Sequence, residues 1–274
     1  MIYKKLFFPI GGGEELEERL YGAFLIAKHF GVELEVLQSR LKSTIEMTDS
    51  MMLPKEIQNS IDEVLENQYR EKDDEFKKLF QKVINEIGIK DSLVNLKIKE
   101  GIRSSLVEQN SKFCDLVIAA APPSGIATAT FETAVLKSGK SVLMFPRIMK
   151  KFSFDSVIIG WNNSPEVSRA LTSSVEILKL AKKVKIVSST EYAKEGSQLE
   201  EIITYLALHG IKASYEIVKT TRIPGQGLLN AAVDGDFDLI VAGAYGHKGL
   251  KELMFGGTTR YLLENSTLPV FLSH

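Results

Sequence analysis

The chain writes one pattern twice. Leu6-Phe-Phe-Pro9, followed by Gly11-Gly-Gly13 and a helical stretch from Glu14 to His29, matches Val157-Ile-Ile-Gly160, followed by Asn162-Asn-Ser164 and a helical stretch to Ala181. Asp115-Leu-Val-Ile-Ala-Ala120 matches Asp238-Leu-Ile-Val-Ala-Gly243, and Ser141-Val-Leu-Met-Phe-Pro146 matches Pro269-Val-Phe-Leu-Ser273. A fixed element order repeated in one chain calls for two copies of one unit. The copies are expected at residues 1–146 and 152–274, joined near Arg147 to Phe152, and 274 residues suffice for two domains of average size.

Within each copy, short β-branched runs alternate with helical segments, the pattern of βαβ crossovers and a parallel sheet covered on both faces. In the second copy strands are expected near 155–161, 184–189, 212–218, 238–243 and 269–273, and helices near 164–181, 197–209, 225–234 and 258–265. Ser164-Pro165 is a helix start, with Ser as N-cap and Pro at the first helical position. The first copy carries an insertion, 41–59, that is polar, Met-rich and without period, followed by a long helix from Ser60 to Ile87. Its stripe of Ile61, Val64, Leu65, Phe76, Leu79, Phe80, Val83, Ile84 and Ile87 reads as core, with a partner-binding face as the alternative.

Composition narrows the classes of function. With 44% hydrophobic and 25% charged residues the chain can bury a core, and 34 Lys plus Arg against 35 Asp plus Glu leaves no basic excess for nucleic acid. No apolar run approaches a membrane span and no signal peptide is evident, so a cytoplasmic location is expected, with neither a membrane nor a nucleic-acid partner. The single cysteine, Cys114, reads as a small core residue at the entrance to a buried strand.

After Asp238-Leu-Ile-Val-Ala242-Gly243 come Ala-Tyr-Gly246, nine residues, and Gly256-Gly257-Thr258-Thr259. Glycines let backbone approach an anion without a β-carbon in the way, and a fresh helix start presents free N–H groups and the positive end of a dipole. In an open α/β sheet, ligands sit beyond the carboxyl ends of the strands, where this loop would lie. His247 and Lys248 either neutralise phosphate or are solvated loop charges. Arg260, in the next helix's first turn, reads as a surface charge, because a helix start disfavours a cation unless an anion is bound. His29 and His209, at helix ends before glycines, read as capping residues.

The spacing Gly243-x2-Gly246-x9-Gly256 after a strand beginning Asp-Leu-Ile-Val resembles the nucleotide-binding motif of the universal stress protein family, and Val157 to Leu171 is similar to that family's first strand and helix. The resemblance is strong from 155 to 274 and weaker from 1 to 146. It implies two tandem open parallel five-stranded α/β sheets of the adenine nucleotide alpha hydrolase-like fold, packed as an intramolecular pseudo-dimer, with a homodimer of chains and an unidentified protein partner as further possibilities. It also implies ATP, with or without Mg²⁺, as ligand in a bacterial stress response. By the same resemblance phosphate and ribose fall to Gly243, Gly246, Gly256 and the residues opening the next helix, Gly257, Thr258 and Thr259, and the base to Trp161, Asn162 and the stretch Val187 to Ser189, with Ser164 and Ala242 also in the candidate nucleotide site.

Two positions depart from the family pattern. Asn162 stands where the family has Asp, and Gly257 intervenes before the hydroxyl of Thr258. The first copy departs further, with Ala119-Ala-Ala-Pro122-Pro123 where the glycine loop should stand, so it reads as degenerate, structural or partner-binding. Gly11 to Gly13 is either an anion cradle or a plain strand-to-helix turn. No Gly-x4-Gly-Lys-Ser/Thr loop, nucleophile elbow or metal-spaced His/Cys cluster is present, and no catalytic residue is assigned. An ATP-using enzyme or slow ATPase, and a nucleotide-free interaction module, remain as rival readings. Each copy ends in a short apolar strand, Val142 to Phe145 and Val270 to Leu272, and pairing the two would satisfy both sheet edges.

Overall fold

The structure is a computed structural model that describes residues 3–40, 55–193, 197–219, 222–246 and 257–274. The first half contributes strands β1 (Lys5–Ile10), β2 (Glu33–Arg40), β3 (Val94–Glu100), β4 (Leu116–Ala120) and β5 (Val142–Phe145). Its helices are α1 (Leu16–Phe30), α2 (Lys55–Ile87), α3 (Arg103–Asn110) and α4 (Ala129–Lys137). The second half contributes β6 (Ser156–Trp161), α5 (Pro165–Leu178), β7 (Lys183–Ser189), α6 (Ser197–Leu208), β8 (Ala213–Val218), α7 (Pro224–Asp234), β9 (Leu239–Gly243), α8 (Thr258–Asn265) and β10 (Val270–Ser273).

The ten strands among the described residues form one sheet in the order β3-β2-β1-β4-β5-β10-β9-β6-β7-β8. Every neighbouring pair is parallel except the junction, where β5 and β10 run antiparallel with Phe271 opposite Leu143. The two five-stranded sheets expected from the sequence are thus edge-joined, because each half's last strand would otherwise leave a row of backbone donors and acceptors open. Val142 to Phe145 and Val270 to Leu272 are buried on both faces, as strands in the middle of a covered sheet must be.

Side chains alternate between two cores. Leu6, Phe8 and Ile10 of β1 face a core closed by α1, α2, α5 and α6, while Phe7 faces one closed by α3, α4, α7 and α8. Both cores contain residues from each half, so the join is a packed interior. The connection between the halves is itself anchored: Met149 and Phe154 are buried, and the Phe154 ring stacks on Phe30 with centroids 5.5 Å apart. Arg147 bonds Glu15, the Glu14 carbonyl and the Ala121 carbonyl.

Several local expectations change. Helix α2 starts at Lys55, inside the stretch read as aperiodic; 41–54 lie outside the described residues. Its stripe is core only from Phe76 onward, since Val64 is 57% exposed while Phe76, Phe80, Val83, Ile84 and Ile87 are buried. Helix α5 stops at Leu178, before Ala181. His29 is no simple dipole cap: its ring meets Phe154 and Phe152 edge-on at 4.7 and 5.2 Å, and desolvation by burial holds its pKa below the ordinary value despite Asp155 nearby. Cys114 is buried, donates to the Ser111 carbonyl at 3.1 Å, and burial pushes its thiol up to about 12, as an inert core residue requires.

Candidate functional site

Strand order reverses direction where β6 lies between β7 and β9, and the chain leaves β6 and β9 toward opposite faces of the sheet. That divergence opens a crevice beyond the carboxyl ends of the strands. Two adjoining hollows of about 660 and 1960 Å³ occupy it, sharing Asn162, Tyr192, Pro224, Gly243 and Thr258 on their walls.

The smaller hollow is a mostly apolar slot between Trp161, Val187, Val218, Leu228 and Ala242. Trp161 and Val187 end up there because they sit at the ends of paired neighbours, with Trp161 beside Ser188 in register. The Ser188 hydroxyl donates to the Trp161 carbonyl at 2.8 Å and ties the rim together. Among the described residues seven buried side-chain polar atoms lack a hydrogen-bond partner, and four belong to this region: Trp161 Nε1, Ser189 Oγ, Tyr245 OH and Glu166 Oε2. Buried polar groups are ordinarily satisfied, so a concentration of exceptions marks a place built to meet something else.

The larger hollow is walled by the glycine turn. Gly243 lies against the first turn of α5: a β-carbon there would sit 2.7 Å from the Val167 nitrogen, so only glycine permits the approach. A β-carbon at Gly246 would fall 2.7 Å from Glu166 Oε2. Tyr245, between them, holds φ 54°, a left-handed conformation that costs a bulky residue about 1–2 kcal/mol. Its backbone N–H donates to Thr259 Oγ1 at 3.4 Å, and burial pushes the pKa of its phenol well above the ordinary value, with Glu132 adding to the effect. The N-cap of α8 is Gly257, which supplies no side-chain acceptor, so the first-turn N–H groups of α8 are left for the hollow that Gly257, Thr258 and Thr259 line.

The electrostatics are mixed. Burial works against ionising Glu166, but its own backbone N–H, the Ser164 hydroxyl, Arg169 and His274 outweigh it and hold the carboxyl below the usual range. An ionised carboxylate therefore stands beside the glycine turn. Arg260 lines the same hollow, and its Nε is bonded to Glu264 at 2.6 Å.

Of the residues expected from the sequence, Trp161, Asn162, Val187, Ser189, Ala242, Gly243 and Thr258 line the slot, and Ser164, Gly246, Gly257 and Thr259 line the larger hollow. Ser164 caps α5, accepting from the Val167 N–H at 3.3 Å, and Asn162 Oδ1 accepts from the Ser164 N–H at 3.3 Å. His247, Lys248 and Gly256 lie outside the described residues. Sequence reading missed Tyr192, Val218, Lys219, Pro224, Gly227 and Leu228. Val218 ends β8 and Lys219 follows it, and the rule that ligands sit beyond strand ends could have found them. Leu228 had no such signal; it enters because a β-carbon on Gly160 would meet its side chain at 2.5 Å, letting α7 close over β6. Also unforeseen were Gly125, Ile126, Ala127 and Glu132 of the first half, which wall the larger hollow.

An edge-joined pair of doubly wound sheets, with a glycine-walled crevice at a switch point, defines a tandem α/β protein with a candidate ligand site. Residues 180–274 match the model of the universal stress protein family, and the chain's length and architecture fit the tandem, two-domain type. The fold is similar to that of a universal stress protein from Archaeoglobus fulgidus DSM 4304, with TM-score 0.72 and 18% identity over 100% of this chain and 99% of that chain. It is also similar to a functionally unknown protein from Pseudomonas aeruginosa PAO1, with TM-score 0.56 and 15% identity over 99% of this chain and 92% of that one. A putative universal stress protein from Pseudomonas aeruginosa UCBPP-PA14 gives TM-score 0.56 and 15% identity over 99% and 93%. No curated protein matches the sequence significantly. No helix among the described residues is long and apolar enough to cross a membrane.

Proposed function

We propose that the chain binds an adenine nucleotide, ATP, in the second-half crevice and acts in the bacterial cytoplasm as a nucleotide-responsive regulator or protective factor in stress. The working division is a first domain at 1–146 and a nucleotide domain at 152–274. The reading is carried by the concentration of unpartnered buried polar groups around an apolar slot that opens onto a glycine turn. A base fits the slot, where Trp161, Val187 and Leu228 supply apolar walls and Trp161 Nε1 and Ser189 Oγ supply a donor and a hydroxyl. The phosphates fall to Gly243, Gly246 and the uncapped start of α8.

Glu166 sets a condition on that binding. Its ionised carboxylate repels bare phosphate, so the tighter ligand is the Mg²⁺ complex, whose cation the free Oε2 would help to hold. The metal arrives with the nucleotide: no cluster of three or more His, Cys, Asp or Glu side chains suited to a metal stands among the described residues. Backbone donors bind a triphosphate but do not activate water, so turnover stays well below about 1 s⁻¹.

Titration calorimetry of the full chain with MgATP tests this. It should give one site per chain, lost in Gly246→Val, whose side chain would press on Glu166 and enter the phosphate space. Unaltered affinity in that variant would sink the assignment and favour a nucleotide-free interaction module.

A further inference from the structure

The first half has its own crevice at the equivalent switch point, about 950 Å³, beyond the ends of β1 and β4. Three arginines from three separate elements line it: Arg19 of α1, Arg103 at the start of α3, and Arg147 after β5. Arg147 is spoken for by Glu15 and two carbonyls. Arg19 is buried and donates to the carbonyls of Glu15, Gly11 and Gly12 at 3.1–3.3 Å, which fixes the glycine turn but places no carboxylate on its charge. Arg103 lies across Gly11, where any β-carbon would collide with its guanidinium, and its Nε donates to Ser39 at 2.7 Å. Among the described residues neither Arg19 nor Arg103 has an ion-pair partner, and the exposed Glu14 stands at the rim.

We infer that this crevice is a second ligand site, for a compact multivalent phosphate, held by the guanidinium fork of Arg103 beside the charge of Arg19 rather than by backbone N–H groups. Like charges gathered in a partly desolvated crevice are unfavourable until an anion fills it. Consistent with that strain, burial first, and then Arg147 and Arg103, lower Arg19 to about 10 even though Glu15 and Glu18 act the other way. The ligand differs from that of the second half because the wall differs. Pro122 and Pro123 carry no backbone N–H, and Ala119 to Ala121 bring β-carbons where the second half has glycine. A planar fork meets two phosphate oxygens at once, which fits a small phosphate ester or diphosphate.

This inference goes beyond the ATP reading and does not rest on it. The test is titration of the full chain with pyrophosphate at constant ionic strength, in a Gly246→Val background so that the second crevice does not contribute. Binding of one pyrophosphate per chain is expected, weakened about tenfold or more in Arg103→Gln and by less in Arg103→Lys, which keeps the charge and loses the fork. Arg103→Gln in the otherwise unaltered chain should bind MgATP as before, which separates failure of one site from failure of the other. Pyrophosphate affinity unchanged in both Arg103 variants, or absent in the Gly246→Val background, would overturn the assignment. Malonate binding as tightly as pyrophosphate would overturn the phosphate class.

Discussion

The two crevices occupy the same topological place and are lined by different chemistry. In the second half the turn after the fourth strand is Gly243 to Gly246, close enough to α5 that a β-carbon would strike the Val167 nitrogen. In the first half the same turn is Ala120 to Pro123, and the charged groups lining the crevice include arginine side chains reaching in from α1, α3 and the connection. The fold fixes where a ligand can sit, and loop composition fixes which one. The first half's stiffer loop has also gained a structural use. Its short 3-10 turn, Pro123–Gly125, abuts α8, where a β-carbon on Gly125 would lie 2.5 Å from the Glu264 Cα. The next residues, Ile126 and Ala127, then wall the second half's larger hollow.

The harshest way to break the comparison is to separate the halves. A fragment of residues 152–274 exposes β10 as an open apolar edge and strips Ile126, Ala127 and Glu132 from the hollow. It should be insoluble or self-associated by sedimentation. A stable, soluble monomer with normal ATP affinity would mean that the first half is not needed to cover the second.

A gentler cut removes one side chain at the junction. Phe271 is fully buried in β10 opposite Leu143, and Phe271→Ala should cost about 3–5 kcal/mol in denaturant unfolding. Because both cores span the halves, loss should appear in one transition, with Trp161 fluorescence in the second half and whole-chain helicity falling together. Separate transitions would show that the halves fold independently.

At the sites themselves the contrast is sharpest at Gly243. Gly243→Val forces α5 from the sheet end and should weaken MgATP binding about a hundredfold, whereas Ala120→Val, at the matching strand end in the first half, should leave it within about threefold. Comparable losses in both variants would count against a nucleotide site confined to the second half.

Much of this architecture was readable because strands and helices alternate with strong periodicity, and because the copies corroborate one another. Leu116–Ala120 and Leu239–Gly243 fall within the two matched Asp-led runs, and Val270–Ser273 is the short apolar strand that the edge argument pairs with Val142–Phe145. The slot was half legible: Trp161, Val187 and Gly243 lie at strand ends that topology marks. Leu228 and the wall from Ile126 to Glu132 were not, since they reach the site through tertiary packing of α7 and of the other half, which no local period encodes. Arg19, Arg103 and Arg147 were invisible for the same reason; each is an ordinary charge in its own segment and becomes a cluster only when three elements converge. The N-terminal part of α2 misled because an amphipathic spacing does not say whether a facing surface exists.

The smallest expected difference lies in the outer strands. Across β1, β2 and β3 the buried Glu35 is bonded by Lys5 at 2.7 Å and Lys97 at 2.8 Å, whereas across β7 and β8 the matching contact is a single pair, Lys185 with Glu216, whose carboxylate is 51% exposed. Burial opposes ionisation of Glu35, but the two lysines outweigh it and hold its pKa below the ordinary 4.5. A depressed folded pKa means that the unfolded chain binds the proton more readily, so this contribution is complete above about pH 4.5 and is lost as pH falls through the folded value. Glu35→Gln should therefore cost about 2 kcal/mol near neutral pH and flatten the acid limb of the stability curve. Glu216→Gln should cost about 0–1 kcal/mol and leave that limb unchanged. Equal costs would show that the first half's outer strands gain nothing from the buried triad, and that the two halves differ in their crevices alone.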